Sequence, residues 1–258
     1  MNAVHRVLVP AQGRQVPTGL CALAVMTKAP RAGEVKTRLT PPLTPEEAAA
    51  LNICFLRDTT AAISATASAG RARGIGAYTP VGAESAFTEI LPAHFELVAQ
   101  RGNDFGERLA FAAEDLFKIG FDSVCLIDSD SPTVPESAYA EAVRILAEPR
   151  DSVVLGPSDD GGYYLIGLNK MNRHLFEDIA WSTSSVFVQT MARAKEAEVT
   201  VGLLPTWYDV DDRATLRRLC EELLGDATVS NGYAAPETHA FLTSLIAREG
   251  RERIWPNK

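Results

Sequence analysis

The 258-residue chain is 46% hydrophobic, carries a formal net charge of −8 and has a sequence pI near 5.1. That much apolar material excludes a disordered chain, and the acidic balance excludes a nucleic-acid binder that works through a broad basic face. No apolar run reaches the roughly 18 to 20 residues needed to span a bilayer, and the segment before Leu20 lacks a continuous signal-peptide core. In chain order, residues 1–18 have Pro10, Gly13 and Pro17 but little periodicity, which reads as a flexible N-terminal extension. Residues 19–226 carry the main domain, and residues 227–258 read as a C-terminal helical extension packed on it.

Short β-type runs recur as CALAVM (21–26), IGAY (75–78), FELVAQ (95–100), SVCLID (123–128), SVVLGP (152–157), YYLIGL (163–168) and VTVGLLP (199–205). Helical patterns alternate with most of them, at about 44–64, 105–118, 135–148, 185–196, 213–224 and 236–248. Such alternation predicts an α/β fold with a mostly parallel sheet and helices on both faces. Thr44, Pro45 and Glu47 form a capping-box signature for the first helix, and Thr133 with Glu136 offers a second one. Cys21, Cys54, Cys125 and Cys220 stand isolated in apolar surroundings, as buried reduced thiols of a cytoplasmic protein do.

Between the first strand and the first helix lies KAPRAGEVKTRLTPPL, in which Lys28, Arg31, Lys36 and Arg38 are opposed only by Glu34. Like charges crowded into one connection call for an anion. The Walker A pattern fails because Val35 stands before Lys36, so a different phosphate cradle is expected from Lys28, Gly33, Lys36 and Arg38. In QRGNDFGERL, Gly106 and Arg108 stand near a helix start, where nucleotide contact and simple helix initiation are alternatives.

Strand SVCLID ends in Asp128 and Asp130, hard oxygen ligands suited to Mg2+ or Mn2+. Near the end, WYDVDDRATL brings Asp209, Asp211 and Asp212, of which Asp211 or Asp212 can cap the following helix while the excess carboxylates want a cation. Asp130, Asp209 and Asp211 are therefore the candidate metal ligands, expected at the ends of neighbouring strands. The turn GPSDDGGYY offers Ser158, Asp159, Asp160, Gly161, Gly162 and Tyr163 to an acceptor, although paired glycines also signal a plain hairpin. Trp181 and Ser182 can line the same pocket, with ordinary packing as the alternative for the tryptophan.

With KAPRAGEVKTRL, DSDSP, GPSDDGGYYLIGL, WST and DVDD in that order, the chain resembles the DUF2064 family of glycosyltransferase-like proteins. Its basic first loop and DGG turn are also similar to phospholactate guanylyltransferase. The resemblance covers residues 20–222 and implies a three-layer α/β/α GT-A fold, that of the nucleotide-diphospho-sugar transferases, with a mostly parallel mixed sheet. It implies that Lys28, Gly33, Lys36 and Arg38 meet donor phosphates, that Asp130 and the DVD aspartates hold the metal, and that Asp160, Gly161, Gly162 and Tyr163 face a small-molecule acceptor. The family more often has glycine at the position of Asp128. Lys36, Arg38 and Asp130 are the expected catalytic residues. The favoured reaction is metal-dependent nucleotidyl transfer from a nucleoside triphosphate to a phosphorylated acceptor, because concentrated cations suit a triphosphate. Glycosyl transfer from a nucleotide-sugar donor, with Asp159 or Asp160 as base, is the alternative. A non-catalytic nucleotide-binding regulatory module is a third reading.

Overall fold

The computed structural model describes residues 5–225 and 231–255. Among the described residues, seven strands form one sheet: β1 (Cys21–Lys28), β2 (Ala72–Thr79), β3 (Glu96–Ala99), β4 (Ser123–Ile127), β5 (Ser152–Pro157), β6 (Tyr163–Leu168) and β7 (Thr200–Leu203), in the order β3-β2-β1-β4-β6-β5-β7. Only β6 runs antiparallel to its neighbours β4 and β5. The helices are α1 (Pro45–Ala67), α2 (Phe105–Ile119), α3 (Glu136–Leu146), α4 (Val186–Glu196), α5 (Arg213–Leu224), α6 (Pro236–Glu249) and α7 (Arg251–Ile254).

Period-two alternation builds the layers. In β1, Leu23 and Val25 pack with Leu56 and Ile63 of α1 and Tyr139 of α3, whereas Ala22 and Ala24 face Leu109, Ala113 and Leu116 of α2. This buries both faces of the strand and explains its continuous apolar run. A third cluster joins Leu51 and Phe55 of α1 to Leu216 of α5, Leu242 of α6 and Trp255. The buried Asp58 of α1 accepts from the backbone N–H groups of Glu237 (3.1 Å) and Thr238 (2.8 Å), tying down the start of α6.

The expected capping box opens α1, since Thr44 Oγ accepts from Glu47 N and the Glu47 carboxylate accepts from Thr44 N. The second one does not form. Helix α3 starts after Pro135 without a side-chain cap, and Thr133 Oγ1 instead accepts from Trp207 Nε1 at 3.0 Å. Residues 5–18, expected to lie loose, are docked. Leu8 N donates to Leu97 O and Leu97 N to Arg6 O, which covers the outer edge of β3, while His5, Leu8 and Val16 are buried. All four cysteines are buried free thiols. No described helix is long and apolar enough to cross a membrane.

Candidate active site

β4 and β7 are not neighbours, because β6 and β5 stand between them. The DVDD segment reaches Asp130 by running back over the sheet end. Trp207 N donates to Pro157 O (2.9 Å), Asp159 N to Trp207 O (3.0 Å) and Val210 N to Asp130 O (2.9 Å). The last of these bonds sets Asp209 and Asp211 beside the end of β4.

The basic loop after β1 then meets these carboxylates. Lys28 pairs with Glu34 at 3.1 Å. Lys36 adopts the left-handed conformation (φ 49°), and its Nζ lies 2.7 Å from Asp130 Oδ1, 3.1 Å from Asp211 Oδ1 and 2.7 Å from Val210 O. Arg38 pairs with the other oxygen of Asp211. The anion sought by the loop is thus supplied partly by the protein itself, from segments remote in sequence. Burial works to lower the Lys36 pKa, but the charges of Asp130 and Asp211 outweigh it and hold the ammonium above its ordinary value. Gly33 turns at φ +75° with open space where a Cβ would stand, so it serves the turn and leaves its surroundings accessible.

Asp212 caps α5 through Thr215 N at 2.9 Å, which leaves Asp209 and Asp211 to the site. Ser158, expected at the acceptor, braces Asp209 with a 3.2 Å bond. Burial, followed by the charges of Asp211 and Asp160, pushes the Asp209 carboxyl up to about 6. Burial and the Asp130 charge raise Asp128 well above the carboxylate range, while Ser131 Oγ donates to it at 2.7 Å. Among the described residues, no three His, Cys, Asp or Glu side chains form a ready-made metal cluster. The donors still fit a hard cation. They are all oxygens, they exceed the cations that neutralise them, and Mg2+ keeps waters and substrate oxygens in its shell, so two carboxylates suffice.

Two cavities adjoin here. One, of about 310 Å3, is bordered by Lys28, Lys36, Arg38, Asn52, Ser129 and Asp130. The other, of about 400 Å3, is bordered by Asp128, Asp160, Gly162, Tyr163, Trp181 and Ser182 over an apolar floor of Met26, Leu109, Leu126 and Val186. Arg38 and Asp211 line both. The β5–β6 hairpin makes the DGG turn both a structural turn and a cavity wall. A Cβ on Gly161 (φ +93°) would meet Ser184 O at 2.2 Å, and Asp160 Oδ1 accepts from Gly162 N at 2.8 Å. Asp159 is engaged by Arg218 and lies outside both cavities.

Gly106, expected as a nucleotide contact, borders neither cavity. A Cβ there would meet Trp181 Nε1 at 2.1 Å, so this glycine seats the tryptophan, which also meets the Phe105 ring edge-on at 5.4 Å. Arg108 lines neither cavity. Asn52, not expected from the sequence, is a buried residue of α1 on the basic cavity, and its Oδ1 has no hydrogen-bond partner. A polar side chain on the apolar face of α1, between Leu51 and Phe55, was the available signal.

The model of the family described as "Uncharacterized protein conserved in bacteria (DUF2064)" matches residues 62–183. A Desulfovibrio desulfuricans G20 protein, described provisionally as a nucleotide-diphospho-sugar transferase, is 28% identical over 91% of this chain and 99% of its own, with a TM-score of 0.75. Rv0371C of Mycobacterium tuberculosis H37Rv, solved in complex with manganese, is 19% identical over 80% of this chain and 100% of its own, with a TM-score of 0.45. The 4-diphosphocytidyl-2C-methyl-D-erythritol synthase of Anaerococcus prevotii DSM 20548 is 9% identical over 87% and 96%, with a TM-score of 0.48. No curated protein matches in sequence.

Proposed function

We propose that this chain, whose residues 62–183 match the DUF2064 model and whose fold is similar to that of the Desulfovibrio protein, is a metal-dependent nucleotidyltransferase joining a nucleoside triphosphate to a phosphorylated small-molecule acceptor. One observation carries the reading: Arg38 and Asp211 line both a basic cavity and an aromatic-walled one, so a group passing between the two crosses these residues. The donor triphosphate lies along Lys28, Lys36 and Arg38, and the acceptor beside Asp160, Gly162, Tyr163, Trp181 and Ser182. An acceptor phosphate oxygen attacks the α-phosphorus, forming one P–O bond as the bond to the β-phosphate breaks and pyrophosphate departs. Arg38 and Lys28 neutralise the departing charge. No protein base is required, because the attacking phosphate is already ionised. Asp130 with Asp209 or Asp211 would hold a divalent cation, which would supply further charge neutralisation at the phosphates.

Asp160 favours one second reading. Its carboxylate borders the acceptor-side cavity, where it can serve as the base of an inverting glycosyltransferase. Calorimetric titration of nucleoside triphosphates and nucleoside diphosphate sugars, with and without Mg2+, separates the two. Triphosphate preference that is lost in Arg38→Ala is the expected result. Preference for the sugar donor turns the assignment to glycosyl transfer, and no binding of either class overturns both.

A further inference from the structure

The Lys36 ammonium has three N–H donors and three acceptors, namely Asp130 Oδ1, Asp211 Oδ1 and Val210 O. Its side chain is 4% exposed, while the residue's left-handed backbone is a conformation that non-glycine residues seldom adopt. A lysine ammonium is a compact point charge on a flexible four-carbon stem, and here it stands between two of the three carboxylates suited to a divalent cation. The same side chain borders the donor-side cavity together with Lys28 and Arg38, so phosphate oxygens arriving there compete with the carboxylates for it.

Resting on the transferase reading above, we propose that Lys36 is a tethered counter-cation of the Asp130–Asp211 pair, which keeps divalent metal out until the phosphates of a nucleotide draw its ammonium away. Metal and nucleotide then exchange places with the lysine in one concerted rearrangement. The ammonium moves from carboxylate to phosphate, and the divalent cation takes over the two carboxylates. Nucleotide-free protein binds divalent metal weakly, nucleotide and metal bind with positive cooperativity, and each strengthens the other by the same factor. The site is assembled only when both are present. Lys36 acts in this as a positioning residue for the metal, besides its contact with the donor.

The test is the binding of Mn2+, followed by electron paramagnetic resonance, to wild type and Lys36→Met without nucleotide. The variant is expected to bind Mn2+ on the order of tenfold more tightly, because Asp130 and Asp211 lose the ammonium they share, while Arg38 still pairs with the other oxygen of Asp211 in both proteins. It should also melt below wild type in chelator and be raised by Mn2+ more than wild type is. Lys36→Gln, which keeps a donor for Val210 O, should behave in the same direction if the methionine variant folds poorly. Equal or weaker Mn2+ binding overturns the proposal, as does failure of both variants to fold in Mn2+. Wild type with a non-hydrolysable triphosphate is the control for the parent reading. If it takes up no Mn2+, the metal-dependent transferase fails, whereas normal uptake there with no gain in the Lys36 variants removes this inference alone.

Discussion

Asn52 illustrates how a single side chain divides stability from binding. It is buried in α1 beside Phe55, with Oδ1 lacking a partner, and it borders the donor-side cavity. A buried acceptor without a hydrogen bond costs about 1 to 3 kcal/mol. Asn52→Leu, similar in volume, should therefore raise stability by about 1 kcal/mol, read from urea midpoints. It should at the same time weaken nucleoside triphosphate binding roughly five- to tenfold in calorimetry, the size expected for one lost hydrogen bond. Increased stability with unchanged nucleotide affinity would assign Asn52 to the core alone.

Connections between elements carry their own strains. The turn from β5 to β6 needs Gly161 at φ +93°, and its carbonyl accepts from Phe187 N at 2.9 Å, so it braces the start of α4 as well. Gly161→Ala would drive a Cβ into Ser184 O, which cannot retreat without moving the 181–186 wall of the acceptor-side cavity. A loss of about 2 kcal/mol is expected in urea unfolding, together with weaker acceptor binding. Further along α1, Asp58 holds the N-terminus of α6. Burial raises its carboxyl above the ordinary range, although the N–H groups of Thr238 and Glu237 pull it back. A carboxyl whose folded pKa is raised contributes stability that is fully present below its unfolded value, about 3.9, and is lost as pH rises through the folded value. The stability of wild type relative to Asp58→Asn should thus fall between about pH 4 and neutrality. Urea midpoints at both ends of that range check the sign, and a rising difference would contradict it.

For the whole molecule, the contrast is between a net charge of −8 and cations gathered at one sheet end. An anionic donor of the kind proposed would be repelled by the chain in general and attracted locally, so its affinity would depend on screening. Raising salt from about 0.05 to about 0.5 M should weaken triphosphate binding several-fold, and Arg38→Ala should flatten that dependence. A salt-independent affinity would mean that the loop cations do not meet the phosphates. The parts of the fold that rest on local pattern were legible without coordinates. The Arg213–Leu224 helix, the Thr44 capping box and both strands of the β5–β6 hairpin follow from periodicity and cap chemistry, which act over a few residues. Thr133 failed as a cap because Trp207, 74 residues away, claims its hydroxyl.

The chain alone determined that helices and strands alternate, that polar clusters follow strands, and that cations concentrate after β1 while carboxylates concentrate after β4 and β7. These are properties of neighbouring residues, expressed through backbone geometry and the burial of apolar faces. Only the tertiary structure decided which charges meet. The antiparallel β6 and its partner β5 separate β4 from β7, and the return of residues 205–211 across the sheet end then restores the meeting of Asp130 with Asp209 and Asp211 by another route. It likewise placed Lys36 on those carboxylates, laid residues 6–8 along β3 with Gln15 bonded to the end of α2, and set Asn52 on the border of the basic cavity. Such pairings depend on strand order and chain return, which long-range packing selects and which no spacing within the sequence encodes.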